Sequence, residues 1–367
     1  MYIYNSGMYL KSLYANNFRN FRMLELELQP GKNLILGDNG VGKTNLLEIV
    51  YFLSTFGSFR TGENVDLLKF GEPFFIISGV YGDTKVKVRY SDKKEIFING
   101  LKEVRLRDSF GTIPVVALTS NDLEIVDGSP SCRRRFINMG ISLYNRTYID
   151  TLSWYNRALR QRNSLLNHAK MGKVIKGIEI WEEQLSHYAL PIIKARVDYI
   201  DKLIKHTVPV FNTLAGQKLE LSYKKGGNYR NLKEQLKKMR NKEIERGYTL
   251  YGPHRDEIIF KIDGHGAKVS ASFGIKKALT VSLRIAQARI LNEVRKEEPI
   301  IILDEIIGEL DRDRIDLLSG LLDEYEQVLI ATTREDVQGS GDFNVYRIED
   351  KDGTPVIRKG LKEIHSI

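Results

Sequence analysis

The sequence predicts an α/β fold assembled from both ends of the chain and interrupted by a basic, mainly helical second lobe. Three observations lead there. Strand-like patterning fills residues 8–36 and 74–100 and returns at residues 257–262 and 299–303, while between about Pro130 and Arg246 the apolar period becomes 3.6. Charge is segregated in the same way: Gly128 to Lys173 holds nine Lys or Arg against one acid, and Asp201 to Gly247 twelve against five. Since the whole chain carries only +9, the remainder is slightly acidic.

Leu24, Leu26 and Leu28 alternate with polar residues and lead to Asn33-Leu34-Ile35-Leu36, a strand that stops at Gly37. Thr44 to Leu53 has helical spacing. Residues 74–100, rich in Ile, Val, Phe and Tyr with turns at Gly82-Asp83 and Asn99-Gly100, read as an antiparallel meander. Helices are expected at Tyr148 to Ala169, Ile178 to His206 and Tyr229 to Arg246. Strand character returns at Glu257 to Ile262, a helix follows from Gly274 to Arg295, and Pro299 to Leu303 and Val328 to Thr333 read as buried strands. The resulting division is 1–120 and 280–367 for the α/β domain and 121–279 for the inserted lobe. At 367 residues two lobes are the expected size.

Composition narrows the class. Hydrophobic residues make up 42% and charged residues 28%, as in folded globular chains. Cys132 is the only cysteine, so an internal disulfide is excluded and a reducing compartment is expected. The N-terminal residues do not read as a secretory leader, and no apolar run approaches the ~18 residues of a membrane span. A cytoplasmic location is the expectation.

The chemistry begins at Gly37-Asp38-Asn39-Gly40-Val41-Gly42-Lys43-Thr44, a phosphate-loop pattern set between a strand and a helix. Phosphates need many donors at close range: backbone N–H groups from Asn39 to Thr44 and Asn45 at a helix N-terminus supply them, and the glycines permit close approach. Lys43 is expected to reach the β- and γ-phosphates of ATP, and the Thr44 hydroxyl to ligate Mg²⁺. Asp304 ends a run of apolar β-formers, where it can hold Mg²⁺ through water, and Glu305 directly after it can polarise an attacking water. Asp311 follows six residues later, before a helix expected near Arg312. Ser272-Phe273-Gly274 opens the Gly274 to Arg295 helix, where Ser272 and Gly274 can offer a hydroxyl and free N–H groups to a terminal phosphate of a second copy. Phosphate loop, Ser-x-Gly, Asp-Glu and Leu-Asp, in that order, resemble an ABC-type P-loop ATPase head that is SMC-like without the coiled coil. Read as a cap, Ser272 or Asp311 alone would carry no such meaning.

Further blocks sharpen the resemblance. Asn17-Phe18-Arg19-Asn20-Phe21, Asn121-Asp122-Leu123, Gly128-Ser129-Pro130, Arg133-Arg134-Arg135-Phe136, Tyr155 with Gln161-Arg162-Asn163, and Gly252-Pro253-His254-Arg255-Asp256 are similar to the RecF family of bacterial recombinational-repair proteins, over nearly the whole chain. Ile275 and Lys276 depart from the glutamine and polar residue usual after Ser-x-Gly, and Glu305 replaces a common aspartate. The resemblance implies nucleotide contact by Arg19 and Asn20. It also implies an ATP-driven homodimer on duplex or gapped DNA, a weak DNA-dependent ATPase, and action with RecR and RecO mediators to place the RecA recombinase on single strands. His254 and Arg255 read as a polar link between lobes.

Phosphate contacts without sequence readout fit Lys/Arg runs that lack zinc spacings. The candidate DNA contacts are Arg133, Arg134 and Arg135, then Lys237, Lys238 and Arg240; the triplet alternatively anchors its lobe, since one helical segment cannot point three side chains the same way. Tyr229, Tyr248 and Tyr251 read as core. A chromosome-structure head needs sustained heptads that are missing, a transporter subunit leaves the basic lobe unexplained, and a fused nuclease needs a further acidic cluster. A DNA clamp in which ATP is structural and hardly hydrolysed stays open.

Overall fold

The structure, a computed structural model, describes residues 7–306, 312–335, 337, 342–351 and 354–359. The chain forms two compact units, one of residues 1–122 and 287–367 and the other of residues 123–286.

The first unit begins with β1 (Leu10–Phe18), β2 (Phe21–Glu27), β3 (Gly31–Leu36) and α1 (Lys43–Thr55). It continues with β4 (Phe75–Tyr81), β5 (Thr84–Tyr90), β6 (Lys94–Ile98), β7 (Leu101–Lys102), the helical turn α2 (Leu106–Ser109) and β8 (Val115–Thr119). The second unit holds the turn α3 (Glu124–Asp127), helices α4 (Pro130–Ser142), α5 (Arg146–Lys170) and α6 (Ile178–Ala215), then β9 (Leu219–Lys224), α7 (Leu232–Arg246), β10 (Glu257–Ile262), β11 (His265–Gly266) and the turn α8 (Ala267–Ser270). Helix α9 (Phe273–Arg295) contains the junction between the units, and β12 (Ile300–Asp304), α10 (Arg312–Leu322), β13 (Gln327–Thr332), β14 (Phe343–Lys351) and β15 (Thr354–Lys359) complete the first.

The first unit stacks two sheets on one helix. The antiparallel sheet has the order β2-β1-β4-β5-β6-β7, which contains the meander expected from residues 74–100. The second sheet has the order β15-β14-β3-β13-β12-β8 and is parallel except for its β15 edge. Strands β8, β12 and β13 are buried at every position, as parallel strands covered on both faces must be. Ten of the 13 residues of α1 are buried, and its Leu46, Ile49, Phe52 and Leu53 share one core with Leu13 and Ile77 of one sheet and Ile35, Ile302 and Leu329 of the other. Because β3, β12 and β13 run the same way, the loop after β3 and the residues after β12 emerge at one edge. That is the usual ligand edge of a parallel sheet. The register sets their level: Asp304 pairs with Ala331, and Ala331 with Ile35.

The second unit packs α5 on α6 and closes the lobe with the three-stranded sheet β11-β10-β9. The α6 helix runs on past His206 to Ala215, because Leu203, Thr207, Val210, Phe211 and Leu214 keep the buried stripe going; Gly216, with φ 65°, ends it. Helices α4 and α6 meet backbone to ring: a β-carbon on Gly140 would stand 2.1 Å from the hydroxyl of fully buried Tyr199. No helix among the described residues is long and apolar enough to cross a membrane.

Gly140→Ala is therefore expected to lower stability by about 1–3 kcal/mol, the usual range for overpacking a close contact. Gly320→Ala, where nothing stands within 4 Å, is expected to be neutral or stabilising. Thermal unfolding of the two variants checks the pair.

Candidate active site

The loop after β3 is shaped by glycine where the geometry demands it. Gly40 and Gly42 have φ of 84° and 118°, and a β-carbon on Gly42 would lie 2.8 Å from the Asn20 amide nitrogen. Asp38, Asn39 and Gly40 are exposed at the loop's crest, while Lys43, the first residue of α1, is only 4% exposed. Its ammonium donates to the carbonyls of Gly37 and Asp38, each at 2.9 Å, and stands 3.2 Å from the Glu305 carboxylate. Beside it, the Thr44 hydroxyl donates to Asp304 Oδ1 at 2.8 Å. Burial pushes the Asp304 carboxyl up to about 6, and neighbouring Glu305 adds to the rise, while the Thr44 hydrogen bond, Arg60 and Lys43 pull it back.

Glu305 itself occupies the left-handed region at φ 58°, which disfavours a side chain by about 1–2 kcal/mol. Its N–H donates to Ala331 O at 3.1 Å, one step beyond the β12–β13 ladder, and the turn brings its carboxylate back to Lys43. Two carboxylates and a hydroxyl, all oxygen donors, suit a hard divalent cation, and Mg²⁺ fits that set through Thr44 and Asp304.

Behind the loop, Asn20 donates to Val41 O at 3.0 Å and accepts from Asn45 at 2.8 Å, so both residues brace the phosphate loop. Arg60 donates to Asn45 Oδ1 at 2.8 Å. The expectation for Arg19 needs correction: its charge is already matched by Glu48, which accepts two hydrogen bonds from it at 2.8 Å, and a third goes to Asp66 O. Glu48, Ser58 and Arg60 went unnoticed in the sequence, although an acid inside the apolar run Leu46-Leu47-Glu48-Ile49-Val50 was a usable signal. Ser272 is exposed and caps α9, its hydroxyl accepting from Ile275 N at 3.4 Å, with Gly274 in the first turn. Asp311 lies outside the described residues.

The proposed DNA contacts separate into two groups. Arg133 is corrected: it is buried, ion-paired to Glu257 at 2.7 Å and bonded to the carbonyls of Ile125, Val126 and Gly128. Arg240 is corrected as well, held by Glu179 at 2.9 Å and Glu182 at 2.7 Å. Arg134 is half-buried and donates to Asp256 O at 2.8 Å. Arg135, Lys237 and Lys238 face solvent.

The remaining motif blocks build the polar core of the helical unit. Arg162, with no exposed surface, bonds Glu182, Glu243 and Thr249, and Asn163 accepts from Thr249 N at 2.8 Å. Arg196 pairs with buried Asp256 at 2.7 Å, and Asp256 also accepts from Gly226 N, Tyr223 and Tyr229. His254 is corrected from a link between lobes to a link within one. Its Nδ1 lies 2.7 Å from the Tyr155 hydroxyl and its Nε2 3.0 Å from Thr249 O, a carbonyl that can only accept. Nε2 thus carries the proton, and burial pushes the imidazole down to about 4, keeping it neutral. Tyr229 is buried, while Tyr248 is exposed beneath the Arg255 guanidinium.

A family model described as the RecF/RecN/SMC N terminal domain matches residues 9–354. The chain is 35% identical over 348 residues to the DNA replication and repair protein RecF of Streptococcus uberis, covering 90% of this chain and 94% of that one. It belongs to the RecF family. The RecF of Caldanaerobacter subterraneus is 32% identical over 357 residues, covering 92% and 98% of the two chains. Among solved structures, one described as the recombination mediator protein RecF-ATP in the RecFOR pathway superposes with a TM-score of 0.87 at 31% identity, over 96% of this chain and 98% of that one. An Smc head bound to the C-winged helix domain of ScpA shares the fold at a TM-score of 0.58 and 14% identity, over 97% and 98% of the chains. The fold is thus that of the RecF and SMC-type ATPase heads, as the motif order implied.

In this RecF-family chain the raised Asp304 value carries a sign. A carboxyl that titrates near 6 when folded and 3.8 when unfolded disfavours the folded state once ionised, fully above about pH 6 and not at all below 3.8. Asp304→Asn is expected to raise nucleotide-free stability at pH 8 by an amount on the order of 2–3 kcal/mol, a gain that shrinks as pH falls toward 4, while weakening Mg²⁺-dependent nucleotide binding. Thermal unfolding across pH and titration with Mg²⁺ and ATP check both.

Proposed function

We propose that this chain is an ATP-dependent DNA-binding protein of recombinational repair that pairs with a second copy around ATP on duplex or gapped DNA and hydrolyses the nucleotide slowly. The observation that carries the reading is the convergence of Lys43, Thr44, Asp304 and Glu305 at the end of one parallel sheet. When ATP enters, its phosphates displace the Gly37 and Asp38 carbonyls from the Lys43 ammonium, and Glu305 is left free to accept a proton from water. That water attacks the γ-phosphorus and the bridging bond to the β-phosphate breaks, giving ADP and phosphate. Mg²⁺, when bound at Thr44 and Asp304, supplies charge neutralisation across the phosphates. Ser272 and the free N–H groups at the start of α9 complete the site of the partner copy from across the dimer.

Arg135, Lys237 and Lys238 hold DNA through its phosphates, giving salt-dependent binding without sequence preference. The RecFOR context in which the solved RecF–ATP relative is described supports action with RecR and RecO, and loading of RecA on single strands at gaps is the further step of this proposal.

Glu305→Gln is expected to lose turnover and accumulate as an ATP-locked dimer in sedimentation; no change in either would favour the clamp in which ATP is structural. Ser272→Arg is expected to abolish ATP-induced pairing while leaving ATP binding by the monomer. Charge reversal at Arg135, Lys237 and Lys238 together is expected to weaken duplex binding at least tenfold in 0.1 M salt and to flatten its salt dependence, measured by fluorescence anisotropy.

A further inference from the structure

Glu48 is a carboxylate with no exposed surface, one helical turn beyond Thr44 on α1. Three side chains converge on it. Arg19 clasps it with two hydrogen bonds at 2.8 Å, the Ser58 hydroxyl donates to it, and the Arg60 guanidinium stands 4.0 Å away. Ser58 in turn accepts from the backbone N–H of Arg60 at 2.8 Å and of Thr61 at 3.0 Å, so the fold of the loop after α1 hangs on the serine that Glu48 holds. From that loop Arg60 reaches Asn45, Asn45 reaches Asn20, and Asn20 reaches the Val41 carbonyl in the phosphate loop. Arg19 has φ 55°, a left-handed conformation that its bonds to Glu48 and to Asp66 O hold in place. The turn between β1 and β2 and the loop of residues 58–61 are therefore tied to one buried acid.

We propose that Glu48 is a positioning residue for the nucleotide: it touches no phosphate, but orders the Asn20–Asn45–Arg60 brace that shapes the phosphate loop. The inference rests on the reading of this site as an ATP site. A buried acid with two cationic partners also has an ordinary stabilising role, and the two roles separate by measurement. Replacing a buried pair by apolar groups of similar size commonly preserves the fold, whereas removing one partner leaves the other charge unmatched. Arg19→Met with Glu48→Leu thus tests positioning with the fold intact, and Ser58→Ala removes the hydrogen bond from the loop to Glu48 together with the two backbone bonds that Ser58 accepts, leaving Glu48 paired with Arg19.

Binding of a fluorescent ATP analogue with Mg²⁺ and the nucleotide-free thermal midpoint are measured for wild type, Glu48→Gln, Ser58→Ala and the Arg19→Met/Glu48→Leu pair. The expected result is ATP binding weakened at least tenfold in all three variants, with midpoints near wild type for Ser58→Ala and for the double variant. Wild-type affinity in Ser58→Ala, or in a folded double variant, overturns the proposal and leaves Glu48 a structural acid. Failure of the wild-type chain to bind the analogue would instead sink the reading of the ATP site itself.

Discussion

The hydrogen bond from Thr44 to Asp304 joins residues 260 positions apart, and the geometry of the candidate site depends on the sheet that makes this contact possible. Strand β3 lies between β13 and β14, so the phosphate-loop strand is flanked on both sides by strands from the C-terminal third of the chain. Neither segment can bury its apolar faces alone. Once they interleave, the parallel direction of β3, β13 and β12 delivers a cation, a hydroxyl and two carboxylates to one edge. Helix α1 fixes their depth, because its Leu46, Ile49 and Phe52 are locked in the core that both sheets share.

A lobe inserted between two halves of such a sheet must be stable by its own contacts, and here a charged interior contributes to that. Arg162 faces Glu182 and Glu243 and Arg196 faces Asp256, all buried, while partly exposed Arg240 bonds to Glu182 and to exposed Glu179, all within the helical unit. Buried ion pairs give little net stability but make wrong arrangements expensive, since any misplacement strands a charge away from water. Motif blocks with no nucleotide chemistry, Gln161-Arg162-Asn163 and Gly252 to Asp256, supply much of this network, while Arg135, Lys237 and Lys238 stay exposed.

Among the non-glycine residues in the left-handed region are Arg19 and Glu305. Each is held there by an ion pair with a well-buried partner, Arg19 by Glu48 and Glu305 by Lys43. Strain matched by a specific charge contact is a means of setting a side chain where a relaxed backbone would not put it. For Glu305 the consequence is that its carboxylate returns to the Lys43 ammonium at the end of the sheet.

What the sequence determined by itself is local or ordered along the chain: the phosphate loop between strand and helix, the Asp304-Glu305 step after an apolar run, the change of period that marks the helical lobe, the motif order of an ABC-type ATPase head, and the further blocks, such as Gly252 to Asp256, that resemble the RecF family. These are readable because dihedral preference and burial periodicity act over a few residues. Only the tertiary structure decided which charges are already matched. Arg133 meets Glu257 at a separation of 124 residues and Arg240 meets Glu182 at 58, so of two arginines that looked like DNA contacts one is buried and the other, partly exposed, is already paired with an acid. The same applies to Glu48, whose partners come from two separate segments, Arg19 between β1 and β2 and Ser58 and Arg60 in the loop after α1. A run of cations has the same composition whether it faces water or a carboxylate, and the difference arises only when packing brings the acid into reach.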